Sequence, residues 1–138
     1  MKGLKKSQLL VLQDSLEGEI YTGDLYKKIY ATDASVYREI PLAVAFPKSD
    51  ADVVLLIKFA QKNKISVIPR AAGTSLAGQT TGKGIVIDCS RYLNRVIEIN
   101  AEQKKAVVQG GVVRDELNQL LKPYQLFFGP NTSTSNRC

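Results

Sequence analysis

Residues 42–79, LAVAFPKSDADVVLLIKFAQKNKISVIPRAAGTSLAGQ, decide how this chain folds. The apolar run at 42–46 closes at Pro47 and predicts a short buried strand. Ser49 and Asp52 fit a capping box, so a helix is expected to begin at Ser49. The stripe that this helix should bury is Val53, Leu56, Ile57 and Ala60. A second strand at 66–69 completes a strand–helix–strand unit with the length of a right-handed parallel crossover.

Shorter elements are predicted on either side of this unit. They are helices at 7–16, 22–30 and 113–121, strands at 84–88, 96–99 and 105–109, and a loop at 31–41. The last two strands are close enough in sequence to pair as a hairpin. The expected fold class is therefore α+β, with a small parallel βαβ sheet followed by part of a mainly antiparallel sheet.

Composition limits the class of protein. The 138 residues are enough for one domain. An apolar fraction of 44% and a charged fraction of 23% are ordinary for a soluble globular chain. No run approaches the roughly 20 apolar residues of a membrane-spanning helix, and the basic N-terminus is not followed by the apolar core of a signal peptide. The expected location is the cytoplasm or, peripherally, the cytoplasmic face of a membrane.

The titratable residues exclude several kinds of chemistry. The chain has no histidine, and its two cysteines, Cys89 and Cys138, are far apart in sequence. A zinc site, a disulfide framework and a Ser-His or Cys-His nucleophile are therefore not expected, and no metal site is predicted. The net charge of +6 is spread over scattered lysines without interleaved aromatics. Nucleic-acid binding is therefore not expected, and a phosphate-rich cofactor would explain the positive charge as well.

The segment that directly follows the second predicted strand is the strongest candidate site. Residues 69–79 are rich in small residues, which allow the main chain to approach a ligand and its N–H groups to form an anion-binding concavity. Thr74 and Ser75 add hydroxyl groups, and Arg70 adds charge. The segment matches neither GxxxxGK[ST] nor GxGxxG. On these residues alone, a flexible surface turn is an equally good interpretation.

Five stretches together resemble one known family. They are ATDASVYREIPLAVAFPKSDADV (31–53), PRAAGTSLAGQ (69–79), GKGIVIDCS (82–90), VVRDELNQLL (112–121) and LFFGPNTSTSNRC (126–138). In order and spacing they are similar to the FAD-binding domain of the vanillyl-alcohol-oxidase and MurB-type (PCMH-type) superfamily. The glycolate oxidase and D-lactate dehydrogenase branch resembles them most.

The resemblance implies that FAD is bound, non-covalently, between the two sheets. The implied cofactor-binding residues form two segments. Those of the first segment, at 69–79, are Pro69, Arg70, Ala71, Ala72, Gly73, Thr74, Ser75, Leu76, Gly78 and Gln79. Those of the second segment, at 130–137, are Pro130, Asn131, Thr132, Ser135 and Arg137. Many relatives have glycines where this chain has Ala71 and Ala72, so negative φ is expected at both positions.

The resemblance also implies a larger enzyme. Residues 1–40 would be a helical lead-in, and 41–138 the N-terminal part of the FAD-binding domain. The whole protein would oxidise a small 2-hydroxy acid such as D-lactate or glycolate and pass electrons to a quinone or another carrier. The catalytic residues are unknown and are expected after Cys138. The sequence TSTSNRC at 132–138 is most similar to large dehydrogenases that carry an additional iron–sulfur domain.

Two other functions stay open at this point. One is a flavin oxidoreductase of the same fold with another substrate, such as an aldonolactone or alkylglycerone-phosphate enzyme. The other is a nucleotide-binding module without enzymatic activity.

Several single residues have ordinary structural explanations. Asp88 is expected to cap the turn at 90–94, and Cys89 to be a small buried residue rather than a reactive thiol. Tyr37 and Arg38 are placed where the relatives have a loop on the cofactor or substrate side, but Arg38 is expected to form a structural ion pair or to face solvent. Asp115 and Glu116 are explained by the dipole at the start of their helix.

Overall fold

The computed structural model describes residues 6–137. Its helices are α1 (Lys6–Gln13), α2 (Asp24–Ile29), α3 (Asp50–Asn63) and α4 (Arg114–Leu121), the last followed by a 3-10 turn at Lys122–Tyr124. Its strands are β1 (Glu19–Tyr21), β2 (Ala43–Phe46), β3 (Val67–Arg70), β4 (Ile85–Asp88), β5 (Val96–Asn100) and β6 (Lys105–Val108). The structure therefore contains every helix and strand predicted from the sequence, and it adds β1.

The strands form a four-stranded mixed sheet and a separate hairpin. The order in the larger sheet is β1-β2-β4-β3, with β2 and β3 both parallel to β4 and β1 antiparallel to β2. The predicted strand–helix–strand unit therefore leaves a gap between its two strands, which β4 fills. The hairpin of β5 and β6 is antiparallel, as expected.

The loop from β3 to β4 is an unusual crossover. These strands are neighbours and parallel, yet residues 71–84 connect them without a helix. A parallel connection must return along the length of the sheet, which takes about a dozen residues or more. The small-residue segment is therefore itself the crossover, and it begins at the carboxyl end of the parallel strands, where α/β sheets place their ligands.

Side chains of β2 and β4 alternate between two apolar clusters. On one face, Ala43, Ala45, Ile85 and Ile87 pack with Leu9 and Leu12 of α1 and Leu56 of α3. On the other, Val44, Phe46, Val86 and Ile68 pack with tyrosines at 21, 26, 30 and 92. The sheet is therefore covered on both faces.

Some residues expected in the core are exposed instead. They are Leu42 and Ile57. Leu42 precedes the strand, and Ile57 is turned about 100° from Leu56 around the helix axis. Both faces of β6 are open to solvent, which exposes Val107.

At the N-terminus of α3, only one of the two hydrogen bonds of the predicted capping box forms. The Ser49 hydroxyl accepts a hydrogen bond from the Asp52 N–H at 3.3 Å, as predicted. The buried Asp52 carboxylate does not return to Ser49; it accepts bonds of 2.9 Å each from the N–H groups of Glu17, Gly18 and Lys48. Asp52 therefore fastens the segment leading into β1 to α3.

Helix length bears on membrane insertion. Among the described helices the longest, α3, has 14 residues, whereas a spanning helix needs about 20. Within residues 6–137 there is no helix long and apolar enough to cross a bilayer.

Candidate functional site

A cleft of ≈ 360 Å³ opens at the carboxyl end of β3. Three segments of the chain line it, at 29–34, 70–76 and 133–137. The two segments predicted from the sequence are thus brought together at one place, although they are about sixty residues apart in the chain. The segment at 29–34 was missed in the sequence prediction.

The lining includes only part of the predicted set. Predicted residues that line the cleft are Arg70, Ala72, Gly73, Thr74, Leu76 and Arg137. Predicted residues that lie outside its lining are Pro69, Ala71, Ser75, Gly78, Gln79, Pro130, Asn131, Thr132 and Ser135. Ser133 and Thr134 line the cleft and were not singled out from the sequence.

The main chain of the first segment is open to an anion. Within residues 6–137, none of the N–H groups of 71–76 donates a hydrogen bond to the protein. Gly73 has φ +67 and Gly78 has φ +75, a conformation that favours glycine. Ala71 and Ala72 keep negative φ, as predicted. A run of unbonded amides beside a left-handed glycine is the arrangement that holds phosphate groups.

Ser75 shapes this segment from within. Its hydroxyl oxygen accepts hydrogen bonds from the N–H groups of Ala77 and Gln79, at 3.2 and 3.1 Å, and its proton is donated to the Gln79 side-chain oxygen. The hydroxyl predicted as a donor to a ligand is therefore used inside the loop, whereas Thr74 lines the cleft itself.

Arg70 directly precedes the loop and contacts both the segment at 29–34 and the far end of the loop. One guanidinium nitrogen, Nη1, donates to the carbonyl oxygens of Thr32 at 2.8 Å and Thr80 at 3.3 Å. The guanidinium carbon lies 5.0 Å from the ring centre of Tyr30, in cation–π geometry. Arg70 thereby joins the segment at 29–34 to the end of the loop.

Tyr30 is in turn held by the sheet. Its hydroxyl donates to the Asp88 carboxylate at 2.6 Å, and the same carboxylate accepts from the Ser90 N–H at 2.8 Å and the Ser90 hydroxyl at 2.6 Å. The predicted cap by Asp88 is confirmed, with Tyr30 as an additional partner. Burial, together with the Asp88 carboxylate, raises the pKa of Tyr30 above its usual value, so the phenol stays protonated.

Asp33 fixes the missed segment against the loop. Its carboxylate accepts from the Thr80 hydroxyl at 3.1 Å, the Thr80 N–H at 3.4 Å and the Ser35 N–H at 2.9 Å. The Ala34 N–H also donates to the Gly73 carbonyl at 3.2 Å. Burial opposes the charge of Asp33, but the bonds from Ser35 and Thr80 outweigh it and lower the pKa of Asp33 to about 2.

The second segment is attached to the start of α4. Arg114 Nε donates to the Pro130 carbonyl at 2.6 Å. The Asp115 N–H donates to the Ser135 carbonyl at 3.3 Å, and the Ser135 hydroxyl donates back to the Asp115 carboxylate at 3.1 Å. Asp115 lies in the first turn of the helix, as predicted, and it also holds the segment that brings Arg137 to the cleft.

Two further residues behave as ordinary structural groups. Cys89 is half-buried, and burial followed by the neighbouring Asp88 raises the pKa of its thiol, which keeps it unreactive at neutral pH. Arg38 is exposed and pairs through its main chain with Thr32 in an isolated β-bridge; within residues 6–137 its side chain forms no ion pair.

No cluster of metal-ligating side chains occurs in the described part of the chain.

The fold is of the PCMH-type α+β class. A solved structure of alkyldihydroxyacetonephosphate synthase matches with a TM-score of 0.75 at 18% identity, covering 88% of this chain and 25% of that one. The predicted fold class is therefore confirmed.

The family follows from the sequence comparison. The model of the FAD binding domain family matches residues 41–138. The chain belongs to this family, and FAD is its cofactor. The unbonded amides of 71–76 and the left-handed Gly73 fit the phosphate groups of that cofactor.

Curated relatives point to the branch. D-2-hydroxyglutarate dehydrogenase of Haemophilus influenzae (strain ATCC 51907 / DSM 11121 / KW20 / Rd) is 44% identical over 124 residues, covering 88% of this chain and 12% of that protein. The mitochondrial D-lactate dehydrogenase [cytochrome] of Kluyveromyces lactis (strain ATCC 8585 / CBS 2359 / DSM 70799 / NBRC 1267 / NRRL Y-1140 / WM37) is 38% identical over 123 residues, covering 86% and 20%. The resemblance to the 2-hydroxy-acid branch is confirmed, and the chain spans one fifth or less of the length of these two relatives.

Proposed function

We propose that this chain is the FAD-binding portion of an oxidoreductase that oxidises a 2-hydroxy acid. One observation carries the proposal: six successive N–H groups at 71–76 have no acceptor within residues 6–137 and lie beside a cleft that Arg137 also lines. Residues 71–75 are half-buried, and amides that are partly screened from water are stabilised when a ligand accepts their bonds. The diphosphate of FAD supplies such acceptors.

The residues of this chain would bind and orient the cofactor. Loop amides at 71–76 would hold the diphosphate, with the Thr74 hydroxyl beside them. Residues 133–137, fastened by Asp115, would form the opposite wall. The chemistry that bound FAD supplies is acceptance of a hydride from the carbon that carries the hydroxyl group.

Attachment of the flavin should be non-covalent. The chain has no histidine, and the Cys89 thiol is half-buried with a raised pKa. Within residues 6–137 there is therefore neither a histidine nor an exposed, reactive thiol to form a covalent bond to the flavin.

The substrate and the electron acceptor are proposed from the relatives. Proteins named for D-2-hydroxyglutarate and D-lactate both act on small 2-hydroxy acids, so the substrate should be of this class, with glycolate as a smaller member. Electrons would pass to a quinone or another carrier, through an iron–sulfur domain or subunit of the whole protein. We place the protein in the cytoplasm or, peripherally, on the cytoplasmic face of a membrane.

Another substrate class would use the same domain. The fold is shared with a synthase of an alkyl glycerone phosphate, which supports a flavin enzyme with a different substrate as the second candidate. A nucleotide-binding module without turnover is the third.

Anaerobic flavin reduction separates these candidates. Intact protein purified with its flavin is mixed with D-2-hydroxyglutarate, D-lactate or glycolate, and the visible flavin absorption is followed. The proposal predicts bleaching by at least one of these acids and none by succinate, which lacks the hydroxyl group. Flavin-containing protein that no 2-hydroxy acid bleaches would contradict the proposed substrate class, and protein that binds no FAD would contradict the cofactor site.

A further inference from the structure

Building on the proposed FAD site, we propose that the two arginines of the cleft have different tasks. Arg70 is a positioning residue that sets the shape of the loop at 71–76 through main-chain carbonyls. Arg137 supplies the positive charge that meets the phosphates of the cofactor.

The contacts of Arg70 are directed at the protein. Its Nη1 bridges the carbonyl oxygens of Thr32 and Thr80, and its guanidinium lies on the Tyr30 ring. Its Nη2 faces Gly73 so closely that a Cβ on Gly73 would lie 2.4 Å from it. The guanidinium thus supports the loop at the residue with positive φ. A planar group with donors in fixed directions is suited to this bridging, and an ammonium group is not its equivalent.

The position of Arg70 depends on the sheet. Tyr30 is held by its hydroxyl bond to Asp88 at the end of β4, and its ring packs edge-on against Phe46 with a centroid distance of 5.8 Å. The series Asp88, Tyr30, Arg70 and Gly73 therefore connects the end of β4 to the loop. Removing either Tyr30 or Arg70 interrupts the same series of contacts, so their effects on the loop should not add.

Arg137 is arranged differently. It is exposed, and its side chain forms no hydrogen bond or ion pair within the described residues, although its main-chain N–H donates to the Thr134 carbonyl at 2.9 Å. The charged groups lining the cleft are Asp33, Arg70 and Arg137. Asp33 accepts bonds from Thr80 and Ser35, and Arg70 is held by its Nη1 bonds and by the Tyr30 ring. Arg137 is the cation of the cleft that no described side chain holds in place, and we therefore assign the phosphates to it.

Substitution by lysine and glutamine separates charge from position. Apo forms of the intact protein are titrated with FAD, with flavin fluorescence as the readout, at a series of salt concentrations. Arg70→Lys and Arg70→Gln should weaken binding alike, by about tenfold or more, because neither side chain is long enough to put a donor nitrogen at the Nη1 position, which bridges the two carbonyls. The salt dependence of FAD affinity should stay that of wild type in both. Arg137→Lys should bind nearly as wild type, whereas Arg137→Gln should lose affinity and salt dependence together.

A control variant outside the cleft and a variant of Tyr30 test the role of Arg70 independently. Arg38→Gln, which removes an exposed arginine outside the cleft, should leave FAD binding unchanged, and thermal unfolding of each apo variant reports any general loss of folding. Tyr30→Leu removes the ring but leaves the charge of Arg70; it should weaken FAD binding, and Arg70→Gln should add little in the double variant.

The outcomes separate this inference from the proposed function. Wild-type protein that binds no FAD contradicts the function itself. Wild-type protein that binds FAD, with Arg70→Lys restoring the affinity that Arg70→Gln loses, would show that Arg70 acts by its charge. Full affinity in Arg70→Gln or additive losses in the double variant would also overturn the inference, as would an unchanged salt dependence in Arg137→Gln.

Discussion

Replacing Gly73 by alanine should disrupt the loop at its most constrained point. A residue with a Cβ at φ +67 costs roughly 1–2 kcal/mol. The new Cβ would also lie 2.4 Å from Arg70 Nη2, so the guanidinium must move away from its carbonyl partners. A hydrogen bond from a charged group contributes about 1.5–3 kcal/mol, which we reduce to roughly 1 kcal/mol because Arg70 is half-exposed.

Together these terms disfavour the native loop by about 2–3 kcal/mol, equivalent to roughly a thirtyfold to hundredfold loss in FAD affinity. The assay is titration of the intact apo protein with FAD, beside its thermal unfolding. Gly110→Ala is the matched control, since its Cβ would meet only Cys89, at an ordinary 3.8 Å. Affinity of Gly73→Ala within a few-fold of wild type would refute the reasoning.

Four further predictions follow from the same site. Gly78→Val should lower the flavin content of purified protein, because φ is +75 and a Cβ would lie 2.7 Å from the Tyr37 ring; full flavin content would count against it. Acid precipitation should release all flavin into the supernatant, and flavin retained in the pellet and mapped to Cys89 or Cys138 would contradict non-covalent binding. The Asp33 carboxylate should stabilise the loop fully above its ordinary pKa of 3.8 and lose that contribution as the pH falls through about 2; Asp33→Asn should lack this part of the acid dependence of FAD release, and an unchanged profile would refute it. The 138-residue chain alone, given FAD, D-lactate and an artificial electron acceptor, should show no turnover above a protein-free control; turnover would place catalytic groups within these residues.

Local patterns predicted the elements but not their order in the sheet. Apolar runs and helical spacing were sufficient for α3, β2 and β3. They could not indicate that β4 lies between β2 and β3, because strand order depends on contacts between distant parts of the chain. Strand β1 was missed because it is three residues long and half-buried, too short for an alternating pattern.

The site was predictable where the residue type determines the conformation. Negative φ at Ala71 and Ala72 follows from the presence of a Cβ, whereas glycine at position 73 permits left-handed φ without requiring it. The bonds from Asp33 to the loop could not be predicted, because they depend on Thr80, which is distant in sequence. The turn that Asp33 forms with Ser35 could have been predicted from Asp-x-Ser at 33–35. The direction of the Arg70 donors likewise depends on Thr32, which packing alone brings near.

The most direct test is a crystal structure of the intact protein with FAD bound. The account predicts diphosphate oxygens within about 2.7–3.2 Å of main-chain nitrogens in 71–76, with the Arg137 guanidinium on the phosphates and Arg70 still on the carbonyls of Thr32 and Thr80. A diphosphate bound elsewhere on the domain, with the N–H groups of 71–76 bonded to protein instead, would contradict it.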